Sequence, residues 1–239
     1  MAPLGRLDVM HRFFVHRSVV SADRFPLPEE IVHQVTRVLR LMDGNEILLL
    51  DGLGGEVRCR LDGRDCVVLE RRSAGGEPSH QLTIWQALVK GDRLEPVVRH
   101  GTELGIARFR LIISERCIVR ELSPRKLERL RAVAREAAEQ SERGIVPPVD
   151  EPIPFAEALR EALSGSVLLF ERHEGKRLTQ MEPPPSIFIG PEGGFSPAEV
   201  EAAERAGMAI AGLGPRILRS ETVAVAVAAA ILSRTGDFA

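Results

Sequence analysis

Apolar positions along the chain change their period near residue 80. Before it, "HRFFVHR" and "EILLLDGLGGEVRCRLDGRDCVVLER" carry short apolar runs broken by Asp-Gly and Gly-Gly pairs. Residues 11 to 72 therefore read as a β-meander. One segment departs from this pattern. In "LPEEIVHQVTRVLRLMDG" the residues Ile31, Val35, Val38 and Leu39 form an apolar stripe at helical spacing. His33, Arg37 and Arg40, at i, i+4 and i+7, share the opposite face, which is either a solvated surface or a stripe for phosphate. "SAGGEPSH", Ser73 to His80, is small, polar and Pro-bearing, as a linker is.

Beyond the linker, apolar runs alternate with helical patterns. "LTIWQALV", "FRLIISE", "SVLLFER", "SIFIG" and "AIAGLG" predict strands, and helices are expected over 94–104, 123–140, 155–163, 197–206 and 221–233. Strands separated by helices imply a mostly parallel sheet. Ser123-Pro124 writes an N-cap and a proline at N1. Ser196-Pro197-Ala198-Glu199 is a capping box, and Gly207 closes that helix as its C′ residue. The 221–233 segment is apolar nearly all round, which fits core, interface or both.

Composition narrows the class. The chain has 239 residues, 44% hydrophobic and 28% charged, enough for one large domain or two modest ones. No apolar run reaches the roughly 20 residues of a membrane span, and the first residues lack the apolar stretch of a secretory signal. Cys59, Cys66 and Cys117 are odd in number and lack metal-ligand spacing, and the six His form no ligand pair. A reduced, cytoplasmic setting without metal is expected. A net charge of −2 gives no bulk signal for nucleic acid. The basic residues are nearly all Arg, with only Lys90, Lys126 and Lys176 as lysines, which suits bidentate phosphate contacts or reflects a GC-rich genome. With no Tyr and one Trp, a broad base-stacking platform is disfavoured.

Candidate chemistry sits in loops that leave strands. "GPEGG", Gly190 to Gly194, and "GLGPRILRSET", Gly212 to Thr222, are Gly-rich, and "LLFER", Leu168 to Arg172, is a third strand end. In open α/β sheets such loops converge on a ligand; two ordinary βα turns are the alternative. There is no Walker lysine motif, and no acid stands about 20 residues after the glycines to hold a ribose, so ATP and NAD are disfavoured. Main-chain groups with Glu192, Arg216, Arg219 and Glu221 suit an adenine with an uncharged or cationic tail.

"IGPEGGFSPAEV" followed by "LGPRILRSETVAVAVAAA" resembles the RsmE family, 16S ribosomal RNA uridine-N3 methyltransferases of the SPOUT superfamily. "HRFFV", "HQVTRVLRLMDG", "TELGIARFRLIISERC" and "EAAEQSERGIVPPV" are similar to segments of that family in the same order, so the resemblance covers essentially the whole chain. It implies an α/β fold: a PUA-like RNA-binding β-barrel over 1–73, a linker over 74–80, and a SPOUT domain with a trefoil knot over 81–239. It also implies S-adenosylmethionine as cofactor, no metal, a cytoplasmic homodimer, and one uridine in helix 44 of the small-subunit RNA as target.

Carried over position by position, the resemblance assigns the methyl donor to Leu168, Leu169, Phe170, Gly190, Glu192, Gly193, Gly194, Leu213, Gly214, Ile217, Leu218, Arg219, Glu221 and Thr222. It assigns RNA to Arg12, His33, Arg37, Arg40, Arg116, Glu139, Gln140 and Arg143. Two positions depart from it: His100 where a lysine precedes "ELG", and Ile145 where a second basic residue follows "EQSER". Methyl transfer needs the uridine N3 aligned with the methyl and rid of its proton. Arg219, Arg116 and Arg143 are expected to stabilise the resulting anion, with Glu139, Glu192 and Glu221 as base candidates and Glu221 the more structural of them. A ribose 2′-O methyltransferase and a non-catalytic RNA-binding assembly factor remain as alternatives.

Overall fold

The computed structural model describes residues 10–171 and 175–238. The chain divides into two compact units, Met1–Glu77 with Glu142–Val146, and Pro78–Ser141 with Pro147–Ala239. Residues 74–77 of the expected linker thus belong to the first unit, and a short return segment joins it from far along the chain.

The first unit contains β1 (Arg12–Phe14), β2 (Arg24–Pro26), α1 (Glu29–His33), β3 (Glu46–Leu50), β4 (Gly55–Asp62) and β5 (Asp65–Ser73). They form one five-stranded sheet in the order β1-β3-β4-β5-β2. β1 and β3 are parallel, and the other pairs are antiparallel. Val57, Cys59 and Leu61 alternate inward along β4 and meet Phe13, Phe25, Ile31, Val35, Ile47 and Leu49 in a single core. Gly63, at φ +64, leads the two-residue turn between β4 and β5, a positive φ that glycine adopts without a Cβ penalty.

The expected helix is shorter than its apolar stripe. After α1 the backbone widens into a π turn over Gln34–Val38, where the Leu39 N–H reaches the Gln34 carbonyl at 2.9 Å. An extra residue in a turn rotates everything after it by about 100°. Val38 is consequently 65% exposed rather than buried. Arg40 lies beyond the helix at φ 54, so it does not continue the face of His33 and Arg37.

The second unit contains β6 (Thr83–Ala87), α2 (Leu94–Glu103), β7 (Arg108–Ile113), α3 (Pro124–Gln140), β8 (Ile153–Pro154), α4 (Phe155–Glu161), β9 (Val167–Leu169), β10 (Ser186–Ile189), α5 (Pro197–Arg205), β11 (Ala209–Ala211) and α6 (Ser220–Leu232). Its six-stranded sheet runs β11-β9-β10-β6-β7-β8, with every pair parallel. Ile84, Ala87, Ile112, Val167, Ile187, Phe188 and Ile189 are buried, as both faces of a parallel sheet must be when helices cover them. α3 turns Leu127, Leu130, Val133, Ala134, Ala137 and Ala138 inward at helical spacing. Its Ser123 hydroxyl accepts from the Lys126 amide at 3.3 Å. Ser123→Ala removes that cap, and chemical denaturation should report a loss of about 1 kcal/mol from the second unit.

Candidate functional site

Because the strands are parallel, β9, β10 and β11 end on one side of the sheet, at Leu169, Ile189 and Ala211. The loops that follow them enclose a cavity of about 590 Å³, within the range of small-ligand sites. Leu169, Phe170 and Glu171 line it from the first strand end, Ile189 to Gly194 from the second, and Ala211, Leu213, Gly214, Arg216 to Ser220 and Val223 from the third. Arg93 closes one side.

The Gly-rich loop folds tightly. Its Gly194 N–H donates to the Pro191 carbonyl at 2.9 Å, and Gly194 sits at φ +67. A Cβ on Gly190 would stand 3.2 Å from backbone atoms of Gly194 and Phe195, so any other residue would press the two limbs of the turn apart by a few tenths of an ångström. The Ser220 hydroxyl donates to the Gly190 carbonyl at 2.6 Å and accepts from Gln86 Nε2 at 2.8 Å. The start of α6 is thereby tied to the loop and to the central strand β6.

Charge is unevenly committed around the rim. Glu192 Oε1 accepts from the Lys90 amide at 3.0 Å and from Arg93 Nη1 at 3.2 Å. Arg93 Nε stands 4.0 Å from Glu221 Oε1, and the buried Glu221 Oε2 has no partner among the described residues. Arg216 and Arg219 are exposed, and neither guanidinium makes an ion pair or hydrogen bond among the described residues. From the end of β7, Arg116 Nη1 donates to the Gly193 carbonyl at 3.0 Å. Cys117 beside it is buried and accepts from the Ser114 amide, a packing role.

The positions assigned to the methyl donor gather here with three exceptions. Leu168 is fully buried in β9, since alternate residues of a strand face opposite ways. Thr222 is exposed on α6, and Glu221 stands behind Arg93 rather than in the lining. Sequence reasoning missed Arg93, Glu171 and Ser220. Arg93 carries no local signal, whereas Glu171 and Ser220 lie inside quoted stretches.

The RNA set is more dispersed. In the first unit His33, Arg37 and Arg40 are exposed. Arg12 is instead half-buried against Glu56 at 3.2 Å and Glu142 at 3.3 Å. Arg143 is 3% exposed, and its guanidinium is held by Glu77 at 2.7 Å. The expectation that Arg143 faces RNA or steadies an anion is corrected: its charge is spent inside the first unit. In the second unit Gln140 is exposed at the end of α3. Glu139 lies near the C-terminal end of α3. α3 starts beside the β6 exit, where Lys126 Nζ donates to the Gly91 carbonyl at 3.0 Å, and it runs back because β7 and β8 are parallel. At 1.5 Å per residue, Glu139 lies roughly 20 Å further from the loops than Lys126.

Among the described residues no group of His, Cys, Asp and Glu could hold a metal ion, and no helix is long and apolar enough to cross a membrane. Residues 76–232 match the model of the RNA methyltransferase domain family. The ribosomal RNA small subunit methyltransferase E of Bacillus subtilis is 31% identical over 249 residues, covering 95% of this chain and 97% of the relative. The protein of the same name from Synechocystis is 36% identical, covering 80% and 67%. The crystal structure of a ribosomal RNA small subunit methyltransferase E from Neisseria gonorrhoeae, bound to S-adenosyl methionine, superposes with a TM-score of 0.84 at 31% identity, over 94% of this chain and 98% of that one. With the whole length matched and the cavity inside the family segment, this chain belongs to the ribosomal RNA small subunit methyltransferase E family.

Proposed function

We propose that this protein binds S-adenosylmethionine in the cavity beyond β9, β10 and β11 and methylates N3 of one uridine in helix 44 of the 16S ribosomal RNA, as a cytoplasmic homodimer. The observation that carries this reading is the cavity itself. Main chain and apolar side chains form much of its wall, Arg93, Glu171, Glu192, Arg216 and Arg219 add charge to it, its Gly190 position is tight for a Cβ, and the buried Glu221 Oε2 lies unpartnered behind its Arg93 wall. Such a set fits an adenine read by backbone groups, with a cationic tail near carboxylates. Leu169, Phe170, Leu213 and Leu218 would flank the base, and Gly190 to Gly194 would supply amides and carbonyls. When bound, the cofactor supplies an electrophilic methyl on a sulfonium.

The chain's own residues do the rest. Arg116 at the Gly193 rim and the unpaired Arg219 hold the uracil oxygens and favour the N3 anion. Glu192 is occupied by Lys90 and Arg93 and is not free to take the N3 proton. His33, Arg37 and Arg40 of a PUA-like first unit grip the RNA backbone. A trefoil knot is supported by Gly212, which donates to the Lys176 carbonyl and accepts from the Leu178 amide before the chain returns to α6. The half-buried apolar faces of α6 support a dimer.

Calorimetric titration with S-adenosylmethionine, with NAD as control, followed by transfer of labelled methyl to small ribosomal subunits and nucleoside digestion, tests the proposal. Binding of the sulfonium alone and label recovered as N3-methyluridine are expected. Label on ribose, or binding without transfer to any form of the RNA, would replace it with one of the alternatives.

A further inference from the structure

The turn that carries Arg116 is pinned from behind by the helix that follows the Gly-rich loop. Glu199 is 8% exposed on the first turn of α5. Its Oε2 accepts from the Ser196 amide at 2.9 Å, as a capping box requires. Its Oε1 reaches further and accepts from the Glu115 amide at 2.8 Å. A helix cap has no use for that second bond. The Ser196 hydroxyl adds another tie, donating to Glu115 Oε2 at 2.6 Å. On the other side of the turn, Cys117 is buried and its amide donates to the Ser114 carbonyl at 3.1 Å. Arg116, between two pinned neighbours, is thrown outward onto the Gly193 carbonyl. That bond uses one of its five N–H donors and leaves others at the cavity rim.

We propose that Glu199 is a positioning residue for Arg116: it couples the α5 N-terminus to the Ser114–Cys117 turn and sets where the guanidinium meets the RNA base. This rests on the methyl-transfer reading above. Glu199→Gln separates the two roles of the side chain. Its amide oxygen can still accept from Ser196 and keep the cap, but its NH₂ then faces the Glu115 N–H, donor against donor.

The test is a double-mutant cycle on the full chain, with small ribosomal subunits as substrate. Glu199→Gln should lower kcat about 10- to 100-fold, since misplacement near 1 Å costs up to that much, and leave the affinity for S-adenosylmethionine within about twofold. Arg116→Ala should lower kcat about 100-fold. In the Arg116→Ala background, Glu199→Gln should cost nothing further, because it acts through a group already gone. Amide hydrogen exchange at Glu115 should speed up in Glu199→Gln alone. Losses that multiply, a parallel fall in cofactor affinity, or unchanged Glu115 protection would each overturn the assignment and leave Glu199 a plain cap. If Glu199→Gln does not fold, Glu199→Asp, whose shorter side chain withdraws from the Glu115 amide while an acid remains at the cap position, carries the same cycle. A wild-type chain that transfers no methyl would sink the functional reading instead, and the exchange measurement would still decide the latch.

Discussion

Gly190→Val should weaken S-adenosylmethionine binding about 100-fold while leaving the protein folded. The added Cβ would lie 3.2 Å from the Gly194 Cα, the Gly194 carbonyl carbon and the Phe195 nitrogen. These are backbone atoms of a closed turn, so none can swing away. Overpacking of this kind costs about 3 kcal/mol. If the loop relieves it by opening, the same energy is lost from binding, roughly 100-fold in affinity. Gly193 is a weaker probe, because its Cβ would meet one atom closely, the Arg116 Cβ at 3.3 Å, where that of Gly190 would meet three at 3.2 Å. Gly75 serves as control: nothing lies within 4 Å of its Cβ position, and Gly75→Val should bind the cofactor like the parent. A folded Gly190→Val protein with parental affinity would move the cofactor out of the Gly-rich loop.

The second large effect concerns stability. Glu77 accepts from Arg143 Nη2 at 2.7 Å and from Nε at 3.2 Å, and from the Ile145 amide at 3.0 Å. Arg143 is 3% exposed and Glu77 17%. Glu77→Ala therefore leaves a buried guanidinium without its carboxylate and a backbone amide without its acceptor. Breaking a buried pair from one side costs about 3–5 kcal/mol. Arg143 keeps a further interaction, which favours the lower figure. For a unit of this size, scanning calorimetry should show its transition fall by more than ~10 °C. A shift under about 2 °C would mean that the pair holds nothing together.

Much of the second unit was legible because its signals are local. Ser123-Pro124, the Ser196–Glu199 box and Gly207 fix helix ends through bonds within four residues, and apolar runs fix the strands between them. The two Gly-rich loops were legible for the same reason, since sharp backbone turns need particular residues in place. What stayed hidden depends on partners remote in sequence. Glu77 reads as one more polar residue in a linker until Arg143 appears 66 positions later. Arg93 is held at the cavity by Glu192, 99 positions on. β2 is three residues long, ends in proline and lies at the sheet edge, too short for a period to show. The π turn after α1 misled the stripe rule, because one inserted residue breaks a count that assumes a constant pitch.

The return segment Glu142–Val146 also has a consequence for how the chain is made. The Gly54 N–H waits for the Gly144 carbonyl, the Val146 N–H for that of Gly52, and Glu77 for Arg143. A ribosome that has just released Glu77 must add about 70 more residues before these partners exist. At about 5–20 residues per second this takes roughly 4–14 s. Throughout that interval the first sheet is an unfinished assembly, although all its strands have emerged. Birth order and folding order therefore part company in this chain: the N-terminal unit closes only after α3 of the second unit has been synthesised.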